Sequence, residues 1–557
     1  MPLPQLLFSL WTIHLISVVP LGLLVLAMPP QSPVRCGQAG CKLSNSYGKW
    51  GDRKDCVASK VAYPTTEEGL RSAVAEAIRS GLKVKVVSKF SHTIPKLACP
   101  GANTSILIST EKYDSVIDID VPNMSVTVDS GVSLRNLIDK VEEKGLSLVA
   151  APYWEGVSVG GIISTGAHGS SWWGRGGSVH DHVVSLSLVV PASESDGYAK
   201  IISLEGQDPR FDAARVSLGL LGVISKVKLS LEKAFKRSIT YNFTRDEGLE
   251  DTFMDHANKY EFADITWYPS KWTAVYRYDS RVPLDTPGDG LFDFLGFRSN
   301  SVFVSTSVRA AERLLDTARD ASGKCLLASI AIAYKKLIAN GLRNGLTFTG
   351  YPVIGRQGRM QTSGSCLYTP LWRPDQTCAW DPRIDGLSFY ETTAIFPARH
   401  FGAFIRDVKR LRDLNPESLC GLDVYNGLLI RFVKGSRAVL GHFRGGGTDG
   451  LLPSRGEAAL GQEPEPVAFI GAAGKYPGMT AFLKARKWLD PKGVFSSEWS
   501  DEILFGKEGE KGDGCALEGL CICSEDRHCS PSKWYFCRQG LVYKDARVCR
   551  FERSSMS

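Results

Sequence analysis

A glycine-rich segment in the first third of the chain restricts most strongly what this sequence can fold into. Residues 155–177 read EGVSVGGIISTGAHGSSWWGRGG, with Val159, Ile162 and Ile163 set among eight glycines. Glycine allows a backbone to approach a ligand closely, and exposed N–H groups bind phosphate oxygens. A plain surface loop rarely interleaves large apolar residues in this way. The segment therefore predicts a loop that holds a nucleotide pyrophosphate, with Ser164 and Thr165 as hydroxyl donors.

The common nucleotide-binding motifs do not explain this segment. It is not the dinucleotide fingerprint G-x-G-x-x-G, and the chain contains no phosphate loop of the form G-x-x-x-x-G-K-[ST]. Another fold should therefore hold the group. A second segment, VVSKFSHTIP at 86–95, places His92 in a polar turn after a run of valines. A lone histidine is most often structural or merely exposed, but here it shares a domain with the predicted pyrophosphate loop.

Composition bounds the class of protein. The chain has 557 residues, 43% of them hydrophobic and 22% charged, which are ordinary globular values and exclude a disordered or collagen-like chain. The net charge of +7 is mild for this length, and no basic run accompanies it. The sequence therefore predicts no nucleic-acid partner.

The N-terminus predicts export. Residues 6–28 are almost wholly apolar, and no Lys or Arg precedes Arg35. We interpret residues 1–28 as a cleaved signal peptide, with a membrane anchor and a wrongly deduced N-terminus as the alternatives. Three N-x-S/T sequons, at Asn103, Asn123 and Asn242, are compatible with secretion but carry little weight.

The cysteines agree with export. There are 14, and six of them lie in the C-terminal tail: Cys515, Cys521, Cys523, Cys529, Cys537 and Cys549. A zinc site is the alternative, but the tail has neither a C-x-x-C pair nor an H-x-x-x-H pair. The tail therefore predicts a disulfide-rich module whose connectivity the sequence leaves open.

Periodicity predicts alternating helices and strands up to about residue 235. A helix is expected over 63–81, with Thr65 and Glu68 as a capping box, and a second helix from Ser133 to near Gly145. Short strands are expected at 84–87, 106–108, 116–119, 126–128 and 183–190. These patterns favour α+β or α/β for this half. Residues 240–500 predict a second α+β domain, and 505–514 a linker into the tail.

Three segments together resemble the FAD-binding domain of the vanillyl-alcohol oxidase / p-cresol methylhydroxylase family. The turn at His92 is similar to that family's (G/S)-H-(S/T) triplet, residues 159–169 to its V-G-G-x-x-x-(T/S)-G-x-H-G segment, and 218–224 to its closing strand. The resemblance implies FAD, bonded covalently to His92 through the flavin 8α-methyl carbon, and no metal. The cofactor-binding residues it implies are Ser91, His92, Thr93, Val159, Gly160, Gly161, Ser164, Thr165, Gly166, His168, Gly169, Gly222, Val223 and Ile224.

The end of the chain narrows the resemblance. Residues 482–504 contain LDPKGVFS, which resembles the end of sugar-1,4-lactone oxidases, and the tail CALEGLCICSEDRHC is similar to the plant branch of L-gulonolactone oxidase-like proteins. The implied fold is α+β. It comprises a signal peptide (1–28), a cysteine-containing segment (29–56), a two-part FAD-binding domain of p-cresol methylhydroxylase type (57–235), a substrate or cap domain (236–504) and the disulfide-rich tail (505–557).

This resemblance implies a reaction. A hydride leaves the carbon that bears the 2-hydroxyl of L-gulono-1,4-lactone for flavin N5, and the product tautomerises to L-ascorbate. The electron acceptor is O2 or another molecule, and the expected location is the extracellular space, cell wall or vacuole, with membrane association only if the N-terminal segment is retained. Arg431, in the expected strand 426–433, matches the arginine of the family's Glu-x-Arg pair and would stabilise negative charge on the reduced flavin. Leu429 stands where that pair has its glutamate.

The family's His-Trp-x-Lys segment is absent, and residues 445–466 occupy its place. Codons for Pro-His-Trp-Gly-Lys-Asn-Arg-Asn, read two nucleotides late, can spell the string ALGQEPEP at 459–466. We therefore hypothesise a local frameshift or splicing error in the deduced sequence. The alternatives to a lactone oxidase are a dehydrogenase with another acceptor, an oxidase of another sugar or polyol, and a secreted glycoprotein that has lost catalysis.

Overall fold

The structure is a computed structural model, and His92 and residues 445–466 lie outside its described part. The described residues are 32–44, 56–89, 95–100, 104–152, 157–288, 300–301, 310–339 without 313 and 316, 342–343, 347–348, 352–360, 376–377, 397–425, 427–441, 478–505, 514, 516, 523–540 and 544–552.

The first two predicted helices are present, at Glu67–Arg79 and Leu134–Glu143. The cap of the first was predicted one residue too early, because Thr66 rather than Thr65 accepts the N–H of Gly69. Ser133 caps the second helix as predicted, by accepting the N–H of Asn136. Each side-chain oxygen satisfies an N–H that has no partner within its helix, and so sets where the helix begins.

The first half of the chain contains two sheets. A parallel sheet has the order Lys60–Ala62, Ser105–Ser109, Lys83–Val87. An antiparallel sheet has the order Ala199–Glu205, Val183–Pro191, Val223–Ser230, Ser125–Asp129, Ile117–Asp120. Helix Glu67–Arg79 packs between them, since its Leu70 and Val74 share one core with Ile106, Val189 and Val223. This arrangement is the two-part architecture that the resemblance implied.

A third sheet forms the second half. Its order is Val353–Arg356, Lys236–Arg245, Thr273–Val282, Asp264–Tyr268, Leu428–Arg431, and every neighbouring pair is antiparallel. Helices Leu249–Lys259 and Ala398–Leu414 cover one face through a core that includes Phe253 and Ile405. Directly opposed residues share a face, so the register places Asp264, Arg277 and Arg431 together on the other face.

The chain returns to the first half after this sheet. Helix Met479–Leu489 buries Met479 and Phe482 in the core that contains helix Leu134–Glu143, and Phe495 forms a parallel bridge with Val84. Residues 479–495 therefore pack in the first half, although the predicted boundaries assign them to the second domain.

Shorter elements complete the described chain. Its remaining strands are Val34–Gly37, Gly40–Leu43, Cys56–Ala58, Leu146–Ser147, Glu232–Lys233, Asn300–Ser301, Leu342–Arg343, Thr347–Phe348, Gln376–Thr377, Tyr535–Gln539 and Arg547–Phe551, and its remaining α-helices are Pro95–Ala98, Val159–Ser164, Phe211–Ala214, Ala321–Ala339, Gln357–Met360 and Cys420–Tyr425. None of the described helices is both long and apolar enough to cross a bilayer.

Disulfides confirm the interpretation of the tail cysteines. Cys523 bonds to Cys537 and Cys529 to Cys549. Each bond therefore ties one strand of the C-terminal hairpin to residues 523–529. The sulfurs of Cys523, Cys529 and Cys537 lie close enough to suit a metal, but each is already in a disulfide. Three further bonds, Cys36–Cys41, Cys56–Cys99 and Cys325–Cys420, lie elsewhere in the described chain.

Candidate active site

A cleft of about 140 Å³ opens in the first half where three segments meet. They are the end of strand Lys83–Val87, the start of helix Val159–Ser164 and residues 218–224. Of the predicted cofactor residues, six line this cleft: Gly160, Gly161, Ser164, Thr165, Gly222 and Ile224. The structure thus brings the glycine-rich segment and the closing strand together, although 62 positions separate Gly160 from Gly222 in the sequence.

Two glycines of the cleft are needed for close approach. A Cβ on Gly160 would lie 2.8 Å from Cβ of Ser130, and a Cβ on Gly222 would lie 2.6 Å from the carbonyl oxygen of Val189. Gly222 also has φ +139°, a conformation that other residues rarely adopt. These positions let the helix and the closing strand pack tightly around the cleft.

The backbone donors of the glycine-rich segment are engaged within the protein. The N–H of Gly160 donates to the carbonyl oxygen of Ser130 at 2.8 Å, and the N–H of Gly161 donates to Ser158 Oγ at 3.2 Å. The hydroxyls of Ser164 and Thr165 both donate to the carbonyl oxygen of Gly161. These glycines therefore shape the cleft, and the donors of these four described residues already have partners within the protein.

The other predicted cofactor residues lie apart from the cleft lining. Val159 and Val223 are buried in the two cores of the first half. Gly166 has φ +71° and packs near Val216, while a Cβ on Gly169 would lie 2.6 Å from the carbonyl oxygen of Ala151. His168 is partly buried, and its Nδ1 lies 2.8 Å from the carbonyl oxygen of Gly169. Ser91, His92 and Thr93 lie outside the described residues.

Arg431 joins the third sheet to the glycine-rich segment. Its Nη1 donates to the carbonyl oxygen of His168 at 3.2 Å. Beside it, the N–H of Phe432 donates to Ser170 Oγ at 3.0 Å, and the N–H of Ser171 donates to the carbonyl oxygen of Phe432 at 3.0 Å. The strand is Leu428–Arg431, shorter than the expected 426–433. Leu429 is half-buried and lies opposite Thr266.

A buried ionic network continues from Arg431 across the same face of the sheet. Asp264 lies opposite Arg431 and forms an ion pair with Arg277 at 3.4 Å. Asp279 forms an ion pair with Arg277 at 2.8 Å. Its two carboxylate oxygens also accept hydrogen bonds from Nε and Nη2 of Arg237. All four of these network residues are buried. The network was not predicted from the sequence. Charged residues at every second position of a strand with apolar neighbours are the pattern that could have indicated it.

The network reaches the first half through one glutamine. Arg237 Nη1 donates to Gln357 Oε1 at 3.1 Å, and Gln357 Nε2 donates to the carbonyl oxygen of Val149 at 2.7 Å. The third sheet is therefore joined to the first half of the chain at two places. One is the contact of Arg431, and the other is the contact of Arg237 through Gln357. The two arginines and two aspartates of the network balance each other in charge and are buried, so they make this part of the sheet rigid.

Comparisons with known proteins agree with this arrangement. A family model described as an FAD binding domain matches residues 58–194, and one described as the C-terminal domain of L-gulonolactone oxidase 2-like proteins matches residues 512–551. The protein named L-gulonolactone oxidase 3 from Arabidopsis thaliana is 58% identical and aligns with 95% of each chain. The chain belongs to the L-gulonolactone oxidase family. It is an FAD-dependent oxidoreductase.

More distant proteins resemble part of this L-gulonolactone oxidase family member, or its fold. The protein named L-gulono-1,4-lactone dehydrogenase from Mycobacterium tuberculosis is 30% identical over 44% of this chain and 55% of its own. The solved structure titled solvent-stable cholesterol oxidase has a TM-score of 0.52 and 14% identity, covering 87% of this chain and 99% of that one. The second likeness shows the fold alone.

The cleft of this L-gulonolactone oxidase family member suits an anionic cofactor such as FAD. Ser130 Oγ is buried there and has no hydrogen-bond partner among the described residues. Lys85, which sequence analysis missed, is the one charged side chain among the described residues that line the cleft. Its Nζ donates to the carbonyl oxygen of Leu218 at 2.7 Å, and burial lowers its pKa to about 7. A free hydroxyl and a buried amine are donors that a phosphate group would satisfy.

Proposed function

We propose that the protein oxidises L-gulono-1,4-lactone, or a closely related aldono-1,4-lactone, to a 2-keto product that tautomerises to L-ascorbate. Two electrons and two protons leave the substrate, and O2 takes them up as H2O2. The observation that carries this proposal is the position of Arg431, on the third sheet and in contact with the glycine-rich segment, together with the family to which the chain belongs. When bound, FAD supplies the hydride acceptor.

The residues of the chain then have two tasks. Arg431 offers a guanidinium that would stabilise developing negative charge, in a site where the buried pairs around Arg277 and Asp279 exclude water. The network also holds the sheet face in place, so that a lactone is oriented before reaction. Covalent attachment of FAD through the imidazole of His92 is part of the proposal, because a nucleophilic nitrogen suits the electrophilic 8α-methyl carbon.

One experiment tests the cofactor part of the proposal. The purified protein is denatured in acid, and flavin absorbance is measured on the polypeptide and in the filtrate, with His92→Ala as the control. We expect flavin to stay with the polypeptide and to be released from the variant. Release from both proteins would contradict the covalent bond but not FAD binding, whereas a protein without any flavin would contradict the whole proposal.

The choice of acceptor needs its own measurement. A dehydrogenase that avoids O2 is the second candidate, favoured by the name of the mycobacterial relative. Turnover of L-gulono-1,4-lactone is followed by O2 uptake and, in parallel, by reduction of an artificial dye under nitrogen. Activity with the dye but not with O2 would identify a dehydrogenase.

We also propose that the protein enters the secretory pathway and works in the extracellular space, cell wall or vacuole. The apolar residues 6–28 and the disulfides of the described chain support this location. N-terminal sequencing of the mature protein should begin after Met28. A mature protein that retains residues 1–28 in a membrane fraction would overturn the proposal in favour of an anchor.

A further inference from the structure

Lys85 occupies an unusual position for an amine. It lies in the middle of strand Lys83–Val87 and is 4% exposed, yet its side chain reaches the cleft. The ammonium can donate three hydrogen bonds, and the structure shows one, to the carbonyl oxygen of Leu218. A buried charge with a single neutral acceptor is unfavourable unless an anion compensates it.

The turn that Lys85 contacts has an unfavourable backbone conformation. Leu218 has φ +53° and Gly219 has φ +65°, two successive residues in the left-handed region. For Leu218 this conformation is strained. Lys85 Nζ lies 3.1 Å from where a Cβ on Gly219 would stand. The amine therefore holds this turn from the cleft side and remains beside the space that a ligand would fill.

Apart from the Ser130 hydroxyl, the donors predicted for this cleft are already used. The N–H groups of Gly160 and Gly161 and the hydroxyls of Ser164 and Thr165 all donate to protein oxygens. FAD carries its formal negative charges on the diphosphate. In the described part of the cleft, Lys85 is the only cation that could oppose them.

We propose that Lys85 is the counter-charge for the diphosphate of FAD. This inference rests on the proposed binding of FAD in the cleft, and it adds a residue that the glycine-rich motif does not contain. The ammonium would bridge the diphosphate and the carbonyl oxygen of Leu218. Binding of the cofactor would then also fix the turn at Leu218 and Gly219.

Charge from neighbouring elements does not account for the state of this amine. Burial is the cause acting on its pKa. The charged side chains on the helix and turn packed against its strand are engaged elsewhere: Glu67 accepts from Ser225, Glu68 pairs with Arg71, Glu76 pairs with Lys60, Arg79 lies over the ring of Tyr198, Glu111 accepts from Ser32, and Lys112 lies over the ring of Tyr63. Lys83, on the same strand, donates to the carbonyl oxygen of Gly493.

These facts predict a pH dependence of cofactor binding. Without the cofactor, the amine loses its proton as the pH rises through about 7, and a bound diphosphate would raise its pKa. Above pH 7 binding must therefore take up a proton, so the dissociation constant should rise by up to about tenfold per pH unit. The diphosphate of FAD and of ADP-ribose is a diester, so its own charge does not change in this range.

The test uses the full chain with His92→Ala, in which FAD is exchangeable. Dissociation constants for FAD and ADP-ribose are measured from pH 6 to 9, and adenosine serves as the probe without phosphate. Adding Lys85→Met should weaken FAD and ADP-ribose by about 10- to 100-fold at pH 6.5 and remove the pH dependence. Adenosine should bind as before. Lys83→Met, on the same strand but outside the cleft lining, is the matched control and should change neither.

Several results would overturn the inference. Equal losses for adenosine and ADP-ribose would show that Lys85 only maintains the fold. A pH-independent dissociation constant for ADP-ribose in the His92→Ala protein would contradict the role of the amine even if Lys85→Met does not fold. Failure of the proposed function is distinguishable, because the His92→Ala protein would then bind no FAD at any pH, and this inference would fall with it.

Discussion

The guanidinium of Arg431 donates to the carbonyl oxygen of His168 across 3.2 Å and so joins two segments that are 263 residues apart. This contact lies where the third sheet meets the glycine-rich segment. It fixes the guanidinium on the face that also carries Asp264 and Arg277. A substrate bound between the halves would lie against this group.

Arg431→Ala should lower kcat/KM for L-gulono-1,4-lactone by about 100-fold or more, because a cation near developing negative charge would be lost. Arg431→Lys should recover part of the loss, since it keeps the charge but not the planar donor geometry. Steady-state kinetics on flavin-loaded protein measure both effects. Arg245→Ala is the control, because Arg245 is exposed and pairs with the exposed Glu247. Equal losses in Arg245→Ala and Arg431→Ala would contradict a specific role for Arg431.

Leu429→Glu should lower the KM for the lactone by about 10-fold, through a carboxylate that accepts from substrate hydroxyls. The position is half-buried and shares the sheet face with Arg431, which would partner the new charge. Leu429→Met conserves volume and apolar character, so its KM should stay as it is. An unchanged or higher KM in Leu429→Glu, in a protein with normal flavin content, would show that this strand does not face the substrate.

Asp279→Asn should reduce the free energy of unfolding by about 3–5 kcal/mol, because it leaves Arg237 and Arg277 buried without their shared carboxylate. Urea unfolding of the wild-type and variant proteins in the same cofactor state measures the change. Glu247→Gln breaks an exposed ion pair and should cost about 0–1 kcal/mol. Comparable costs for the two substitutions would mean that the network does not stabilise the sheet.

His256 should make the protein less stable in mild acid. Burial lowers its pKa to about 4, and its ring is surrounded by Tyr260, Tyr276 and Tyr278. The unfolded chain takes up a proton near pH 6.5 but the folded protein does not, so stability present above pH 6.5 is lost as the pH falls towards 4. Between pH 6.5 and 5 the loss should be about 2 kcal/mol.

The test compares the free energies of unfolding of the wild-type protein and His256→Gln at pH 6.5 and at pH 5. The variant lacks the titrating ring and should therefore lose less stability between these pH values. His400→Gln is the control at an exposed histidine of helix Ala398–Leu414. If His256→Gln loses as much stability as the wild-type protein, the ring does not titrate as described.

Sequencing the transcript across the codons for residues 445–466 should reveal a shifted frame that encodes His-Trp-Gly-Lys in place of the string at 459–466. An uninterrupted transcript that encodes the string as written would disprove the frameshift. In that case the protein lacks both side chains, and turnover of the lactone should be weak.

Two features, the cap of the first helix and the burial of Lys85, could not be predicted from the sequence. Two threonines stand side by side at 65 and 66, and either can cap a helix, so only the backbone geometry decided for Thr66. Lys85 was missed because a strand pattern with lysine at every second position predicts an exposed face. In the folded protein, residues 218–224 lie next to that face, and both line the cleft.

The local features of this protein follow from short stretches of its sequence. Helix caps such as Ser133 depend on a few neighbouring residues, and the glycine-rich and terminal motifs marked the family. Only the tertiary structure decided which distant side chains meet, as with Arg431 and His168, or Arg237 and Asp279. Such pairs depend on how strands that are far apart in the chain align, because a slip of one residue would send the side chains to opposite faces of the sheet.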